Sequence, residues 1–226
     1  SLGITSMHNM DGNWYQLELL QEMLDRGELN ARGDIPFPQK NYSELSRVDE
    51  AVDMRAAYNG DMLHCHRVKI FIDGVLETLT ALMIDDYPGH PGNKGAPLFT
   101  AADFDALVTR ADKHGFQIST HAIGDGAIRR TLDGYAAAQK ANGRRDSRHR
   151  IEHIELIDPA DIPRLKELGV IASLQPVSAP TVPGNPLEPI LTRVGDKLPY
   201  AYAWQLLREA GAVVAFSSDW PVAPLN

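Results

Sequence analysis

Four polar residues stand at or near the carboxyl ends of predicted strands in this sequence: Lys69, His121, His153 and Asp219. Imidazole and carboxylate groups are common ligands of divalent metal ions, and two such ions can activate a water molecule and polarise a carbonyl group. Taken singly, each histidine could bond only to the backbone, and Asp219 could cap a turn before Pro221. Because the carboxyl ends of parallel strands meet on one side of a sheet, the four residues together predict a metal site.

Lys69 is the most unusual of the four, since it lies among apolar neighbours in the run 68–72. A buried ammonium group is costly, so three outcomes are open. The lysine forms a salt bridge with Asp73 or another acid, its pKa is lowered, or CO2 converts it to a carbamate. A carbamate is an anion that can bridge two divalent cations, which would resolve the cost of burial.

A further histidine pair, His64-Cys65-His66, has a spacing that would suit one metal ion. It precedes the strand that carries Lys69, so it belongs at the amino-terminal side of the strands. In barrel enzymes that side serves stability, and the opposite side carries the catalytic residues. We therefore expect His64 and His66 to lie far from the four residues above.

The elements that must position these residues follow a repeated pattern of helix, glycine and strand. Gly115, Gly169 and Gly211 each end a helical stretch, as a glycine in the left-handed conformation allows. The pattern predicts strands at 3–8, 29–36, 67–73, 116–121, 150–155, 170–175 and 212–218. Helices are predicted at 12–26, 44–59, 124–141 and 199–210, with Asp11 and Ser43 as caps of the first two, and two more begin at Thr100 and at Asp158-Pro159.

Seven strands that alternate with helices indicate a parallel sheet with right-handed crossovers. A barrel and an open doubly wound sheet both satisfy this pattern. No Gly-x-Gly-x-x-Gly motif follows an early strand, so a dinucleotide-binding fold has little support. The stretches 87–97 and 176–189 are predicted loops after strands, where binding residues usually lie. Tyr87, Gln175 and Trp220 lie near loops or strand ends and are candidate substrate contacts, although packing explains each equally well.

The composition excludes several classes of protein. Of the 226 residues, 43% are hydrophobic and 23% are charged, which is ordinary for a globular domain. A net charge of −8 argues against nucleic acid or an anionic membrane as the main partner. The single cysteine, Cys65, excludes an internal disulfide and fits a reducing compartment, so a cytoplasmic location is expected. No apolar run comes near the length of about 20 residues that a membrane span needs.

Four motifs occur in order along the chain: Lys69-Ile70-Phe71-Ile72-Asp73-Gly74, Thr120-His121-Ala122-Ile123-Gly124-Asp125, Arg150-Ile151-Glu152-His153 and Ser217-Ser218-Asp219-Trp220-Pro221. Together they resemble the amidohydrolase superfamily, and within it the branch that includes N-substituted formamide deformylases. The resemblance covers about 3–226. It implies a (β/α)8 barrel of the TIM type that hydrolyses the C–N bond of a small-molecule amide or N-substituted formamide.

The resemblance also implies roles for the four residues. Lys69 matches a carboxylated lysine that bridges two metal ions, with zinc as the expected metal and CO2 as the source of the carbamate. His121 and His153 match metal ligands from the fifth and sixth barrel strands. Asp219 matches the aspartate of the eighth strand, which binds metal and takes a proton from the attacking water.

The sequence departs from the family pattern in its extent. It begins at what resembles the second barrel strand, so the His-x-His pair of the first strand, the flanking β-sandwich and the eighth helix are not found in it. We therefore expect one partial barrel domain over 1–226 that binds fewer than two metal ions and hydrolyses amides poorly. Strands 3–8 and 212–218 would each lack a neighbour, which favours a homo-oligomer through these edges. A catalytically incompetent barrel piece and a hydrolase of another ester or phosphoester stay open as alternatives.

Overall fold

The computed structural model describes residues 3–180, 182 and 185–222, which form strands alternating with helices. The strands are β1 (Ser6–His8), β2 (Arg32–Asp34), β3 (Phe37–Gln39), β4 (Leu63–His64), β5 (Arg67–Phe71), β6 (Gln117–Ala122), β7 (Arg150–His153), β8 (Ile171–Leu174) and β9 (Val213–Phe216). The α-helices are α1 (Trp14–Asp25), α2 (Glu50–Ala57), α3 (Ala101–Lys113), α4 (Asp125–Asn142), α5 (Ile162–Leu168), α6 (Glu188–Val194) and α7 (Trp204–Glu209). Short 3-10 helices occupy Leu45–Asp49, Pro176–Ser178 and Gly195–Tyr200.

All pairings between these strands are parallel, which confirms the predicted α/β class. One sheet has the order β1-β2-β4 and the other the order β3-β5-β6-β7-β8-β9. Each predicted strand occurs with bounds within three residues of the prediction. Part of the predicted loop 176–189, at 181, 183 and 184, lies outside the described residues.

The strand predicted over 29–36 occurs as β2, and a second short strand, β3, follows it beyond residue 36. Pro36, which lies between β2 and β3, has no backbone N–H to donate, so a continuous ladder cannot run through it. The partner strand is divided as well, into β4 and β5. Between the paired residues Gly33–Leu63 and Phe37–Val68, three residues on one strand face four on the other, which is a β-bulge.

The core lies between the outer face of the larger sheet and the helices. Ile70, Thr120, Ile151 and Ala172 form one row across β5 to β8, and each is fully buried. Residues directly opposite in a ladder point to the same face, so this row packs as a unit against apolar side chains of α3 and α4. The next residues along each strand point to the opposite, inner face, where polar and charged side chains gather.

The predicted helix caps are partly correct. Thr100 caps α3, since its side chain accepts a hydrogen bond from Asp103 N. Asn13, rather than Asp11, caps α1 by accepting from Gln16 N. The segment predicted as a helix over 44–59 begins as the 3-10 helix Leu45–Asp49 without a side-chain cap, so Ser43 does not fill that role.

Two further predicted helices differ from the structure. Helix α5 begins at Ile162, so Asp158-Pro159 lies in the turn before the helix rather than at its start. The helix predicted over 199–210 is divided into the 3-10 helix Gly195–Tyr200 and α7. The three predicted helix-ending glycines are confirmed, with φ of +81° at Gly115, +69° at Gly169 and +85° at Gly211.

The segments that follow β5 and β8 pack on each other through a second, smaller apolar cluster. Its buried members are Leu76, Ala81, Met83, Tyr87, Ile123, Leu156, Ile190 and Val194. Lys197 joins the two segments electrostatically, since its Nζ lies 2.9 Å from Asp85 Oδ2 and 2.6 Å from Asp125 Oδ2. These segments therefore form a fixed layer next to the carboxyl ends of β5 and β6.

Strands β1 and β9 stand at the ends of their sheets within the described part of the chain. Side chains on β9 are correspondingly open, with Val213 63% exposed and Phe216 66% exposed. Among the described residues, no helix has both the length and the apolar character to cross a membrane.

Candidate metal centre

Lys69 and His121 lie on the inner face of neighbouring strands. Lys69 faces Ser119 across the β5–β6 ladder, and Phe71 faces His121. Since side chains alternate along a strand, Lys69 and Phe71 share a face, and so do Ser119 and His121. The ring of Phe71 stands between the two groups, 4.4 Å from Lys69 Nζ and 5.0 Å from the imidazole centroid of His121.

The imidazole of His153 also lies next to that of His121, although its position in β7 does not direct it there. His153 faces Ala122 across the β6–β7 ladder, and Ala122 is buried in the core on the helix side of the sheet. The backbone then turns sharply, with φ of +81° at His153 and +51° at Ile154. The imidazole consequently meets that of His121 edge to face, with the ring centroids 4.6 Å apart. Such conformations cost about 1–3 kcal/mol for a residue other than glycine and cluster at functional sites.

The ammonium group of Lys69 is buried without a polar partner. The residue is 2% exposed, and within the described part of the chain its Nζ makes no hydrogen bond or ion pair. Burial lowers the pKa of Lys69 to about 8, and the negative charges of Glu152 and Asp219 oppose that shift. The salt bridge with Asp73 does not form, because the Asp73 carboxylate accepts backbone hydrogen bonds from Leu82, Ile123 and Gly124 instead.

Both imidazoles of the pair are held neutral. Burial lowers the pKa of His121 to about 3, with further contributions from His153 and Lys69. Burial also lowers the pKa of His153 to about 3, reinforced by the charge of Lys69. His121 Nε2 lies 3.0 Å from Gly74 O, and a carbonyl oxygen only accepts, so Nε2 carries the proton. The lone pair on His121 Nδ1 is therefore free, which is the form of imidazole that binds a metal ion.

Asp219 follows β9 and is partly buried. Burial raises the pKa of its carboxyl group, the charge of Lys69 lowers it and that of Glu152 raises it, so the three groups are close enough to interact. The residue has a φ of +56°, the third strained position in this region. Lys69 and His121 thus share the inner face, the imidazole of His153 meets that of His121, and Asp219 is close enough to Lys69 for their charges to interact.

The three candidate substrate contacts lie in different surroundings. Tyr87 is 1% exposed in the second apolar cluster, and its hydroxyl donates to Ala81 O at 2.7 Å. Gln175 is also buried, donates to Ser217 Oγ at 2.9 Å and lies near enough to His153 to raise the pKa of its imidazole. Trp220 is 65% exposed next to Asp219. Of the three, Trp220 alone presents most of its surface to solvent.

An ion-pair network that the sequence analysis missed lies beside Lys69 on the inner face. Arg150 donates to both carboxylate oxygens of Glu152, at 2.8 and 2.9 Å, and Arg67 pairs with Asp34 at 3.0 Å. The two guanidinium groups also both approach His8 Nδ1, at 2.9 and 3.0 Å. The motif Arg150-Ile151-Glu152 could have indicated this ion pair, because alternate residues of a strand share a face. Because the two pairs balance their own charges, Asp219 is the further acid whose charge favours the protonated form of Lys69.

His64 and His66 form a pair of their own. Their rings stack with centroids 4.4 Å apart. His66 Nε2 lies 2.7 Å from Asn59 Oδ1, and His64 Nδ1 lies 3.2 Å from Gly60 O. Asp34 on β2 also contacts the pair, 3.9 Å from His64 Nε2. The polar partners of this pair thus come from the turn before β4 and from β2, whereas Gly74, which contacts His121, lies after β5.

The donor set suits a divalent metal ion only if Lys69 takes part. Among the described residues, no three His, Cys, Asp or Glu side chains are placed to hold one ion together. The two neutral imidazoles form a pair, and the buried Lys69 stands beside them without a polar partner. Its carbamate would add an anionic oxygen ligand to that pair, so the chemistry of the residues fits a metal ion.

An α/β fold with parallel strands and a polar inner face is consistent with part of a TIM-type barrel, and the comparisons give the family. A sequence model of the amidohydrolase family, Amidohydro_3, matches residues 1–226. The chain therefore belongs to the amidohydrolase family, as its four motifs indicated.

Similar curated proteins come from a plant and from bacteria. The chain is 34% identical over 183 residues to Protein LONG AFTER FAR-RED 3 of Arabidopsis thaliana, covering 80% of this chain and 31% of that protein. It is 28% identical over 215 residues to the putative amidohydrolase YtcJ of Bacillus subtilis, covering 88% and 39%. An N-substituted formamide deformylase of Arthrobacter pascens is 25% identical over 138 residues, covering 61% and 24%. The chain thus spans well under half the length of these relatives.

Solved structures agree with the family. An uncharacterized metal-dependent hydrolase from Pyrococcus furiosus superposes with a TM-score of 0.82 at 28% identity, covering 99% of this chain and 44% of that one. A mutant of atrazine chlorohydrolase TrzN from Arthrobacter aurescens, complexed with zinc and atraton, has a TM-score of 0.57 at 12% identity, covering 96% and 45%. The second likeness concerns the fold alone.

Proposed function

We propose that this chain carries part of the active centre of a metal-dependent amidohydrolase that cleaves the C–N bond of an amide or N-substituted formamide. The observation that carries the proposal is the group formed by Lys69, His121 and His153, in which a buried amine without a polar partner stands beside two neutral imidazoles. Among relatives, one is named a putative amidohydrolase and another an N-substituted formamide deformylase, which supports this class of substrate.

In this proposal His121, His153, Asp219 and a carbamate on Lys69 hold a divalent metal ion, with zinc as the expected ion. Carbamate formation needs the neutral amine, and burial favours that form by lowering the pKa of Lys69. The carbamate is negative, so it would replace a buried positive charge with a negative charge that a bound cation neutralises.

The bound metal would activate a water molecule and polarise the carbonyl group of the substrate. Asp219 would accept the proton from that water and return it to the leaving amine. Burial, which raises the pKa of Asp219, makes the carboxylate a better proton acceptor than an exposed aspartate. Trp220 adjoins Asp219 and would contact the substrate, because it is the exposed member of the three candidates. Gln175 would support His153, and Tyr87 would support the segment after β5 through its bond to Ala81.

A second candidate is a barrel piece without catalytic competence. It is favoured by the lack of a three-ligand group among the described His, Cys, Asp and Glu side chains. In that case these 226 residues would bind fewer than two metal ions and turn over amides poorly. The exposed strands β1 and β9 would pair with a second copy of the chain. For either candidate the cytoplasm is the proposed location.

Metal analysis together with a substrate panel separates these candidates. The 226-residue protein is purified, loaded with zinc in bicarbonate buffer and analysed for bound metal. It is then tested on N-formyl amines and on phosphotriesters. Zinc binding with turnover of N-formyl amines supports the amidohydrolase. Turnover of phosphotriesters alone supports a phosphoester hydrolase instead. Protein that binds little metal and has no activity supports the barrel piece without catalytic competence. Two tightly held zinc ions with rapid turnover would show that the chain is a complete enzyme.

A further inference from the structure

Four residues of the sequence motifs take no part in the proposed metal chemistry: Asp73 and Gly74 after β5, and Gly124 and Asp125 after β6. All four contact one stretch of chain, Thr80–Ile84, which crosses the carboxyl ends of these two strands. Leu82 N donates to Asp73 Oδ2 at 2.9 Å, and Ile84 N donates to Asp125 Oδ1 at 2.9 Å. The two acids therefore hold the same stretch at points two residues apart.

The two glycines allow this stretch to lie directly on the strand ends. A Cβ atom on Gly74 would lie 2.1 Å from Thr80 Oγ1, and one on Gly124 would lie 2.1 Å from Leu82 O. Both distances are far below van der Waals contact, so the close approach requires glycine at both positions.

Asp73 differs from Asp125 because it also reaches the strand that carries His121. Its carboxylate, 2% exposed, accepts hydrogen bonds from Ile123 N at 3.1 Å and from Gly124 N at 3.0 Å. These amides lie two and three residues beyond His121. The same carboxylate lies 3.6 Å from His121 Nε2. Asp73 thus fixes the backbone on the far side of the histidine as well as the overlying stretch.

The carbonyl that takes the proton of His121 belongs to the next residue along from Asp73. His121 Nε2 lies 3.0 Å from Gly74 O. The position of that carbonyl depends on the turn that begins at Asp73, and the position of the imidazole depends on the strand end that Asp73 anchors. One carboxylate therefore sets both ends of this hydrogen bond.

We propose that Asp73 is a positioning residue that holds His121 in the tautomer with the proton on Nε2 and the lone pair on Nδ1. The value of this tautomer for binding a metal ion rests on the proposed function. The tautomer itself does not, since it follows from the contacts of Asp73, Gly74 and His121 alone. A ring nitrogen fixed by a second group is how proteins set which nitrogen of a histidine is free.

The test is the tautomer of His121, read from the 15N chemical shifts of histidine side chains in the metal-free 226-residue protein at pH 7. Asp73→Asn is the test variant, since an amide cannot accept all the hydrogen bonds that the carboxylate accepts. Asp125→Asn is the matched control, because it weakens the hold on the same stretch without contacting His121. His149 is the internal reference, as its Nε2 lies 3.2 Å from Asp112 Oδ1 on a different part of the sheet.

The proposal expects a single Nε2–H tautomer for His121 in the unmodified protein and in Asp125→Asn, and a mixture of tautomers in Asp73→Asn. His149 should be unchanged in all three. A mixture or the Nδ1–H tautomer in the unmodified protein overturns the proposal, and this result does not depend on whether the variant folds. An equal change in Asp73→Asn and Asp125→Asn also overturns it, because the effect would then come from loosening the stretch Thr80–Ile84 and not from Asp73 itself.

Zinc affinity gives a second readout that separates this inference from the proposed function. Loss of a group that orients a metal-binding histidine typically weakens metal binding by about 10- to 100-fold. We expect that loss in Asp73→Asn and not in Asp125→Asn. If the tautomer depends on Asp73 but no form binds zinc, the positioning role stands and the proposed metal function fails.

Discussion

His121 and His153 meet edge to face with their ring centroids 4.6 Å apart, although their places in β6 and β7 direct them to opposite faces of the sheet. The positive φ angles at His153 and Ile154 bring the second imidazole round to the first. Packing must stabilise these backbone conformations, since a non-glycine residue adopts them at a cost. The pair therefore depends on the backbone at the end of β7 as much as on the two side chains.

The first prediction concerns the buried charge of Lys69. Its pKa is lowered from 10.5 to about 8 in the folded chain, so between these values the unfolded chain binds more protons. Stability should therefore rise as pH increases from about 8 to 10.5, by about 2–3 kcal/mol. Urea unfolding of the metal-free protein in CO2-free buffer measures this rise in the free energy of unfolding. The rise should be absent in Lys69→Met, which has no amine to titrate. Parallel pH curves for the two proteins would contradict the prediction.

Much of this centre could be predicted from the sequence, and the rest depends on contacts between distant residues. Lys69 and His121 follow from strand positions, because alternation along a strand sets the face of each side chain. The orientation of His153 does not, since nothing in its neighbours indicates a left-handed backbone. The role of Asp73 was missed because its partners Ile123 and Gly124 lie 50 and 51 residues away.

The same contrast holds for the fold. The repeated helix, glycine and strand pattern predicted a parallel sheet, since glycine accepts the left-handed conformation that ends each helix. The second strand β3 was not predicted, because its separation from β2 depends on Pro36 and on a bulge that exists only when β4 and β5 pair with these strands. Asn13 and Asp11 are both good capping residues, and only the backbone geometry shows that Asn13 caps α1.

A second prediction has the opposite dependence on pH. Burial raises the pKa of Glu155 to about 7, with a further rise from Glu77 that Tyr202 opposes. The folded chain then binds more protons than the unfolded chain between about pH 4.5 and 7, so stability falls across that range. Glu155→Gln removes the carboxyl group and should gain up to about 3 kcal/mol over the original protein at pH 8, but almost nothing at pH 4.5. Thermal or urea unfolding at the two pH values checks this, and an equal effect at both would refute it.

A third prediction tests a helix cap. Thr100→Ala removes the oxygen that accepts from Asp103 N, so unfolding should become easier by about 1 kcal/mol. Ser43→Ala is the matched control, because Ser43 precedes a 3-10 helix that has no side-chain cap. Its effect should be within about 0.5 kcal/mol of zero. Equal losses in the two variants would remove the capping explanation.

A fourth prediction concerns association through the exposed strands. Val213 lies on β9 and is 63% exposed, so a lysine there should block edge pairing, as charges on edge strands do in other proteins. Sedimentation velocity should show a smaller fraction of oligomer for Val213→Lys than for the original chain. Tyr42→Lys is the control, since Tyr42 is 83% exposed but lies in a turn outside the sheets. A monomeric original chain, or equal oligomer in both variants, would rule out this association.

Zinc titration followed by histidine 15N NMR tests whether Lys69, His121 and His153 form a metal centre. Zinc in bicarbonate buffer should shift the Nδ1 signal of His121 and the signals of His153. The signals of His64 and His66 should stay in place, and Lys69→Met should weaken the response. Zinc that shifts the signals of His64 and His66 and leaves those of His121 and His153 unchanged would rule out a metal centre at Lys69.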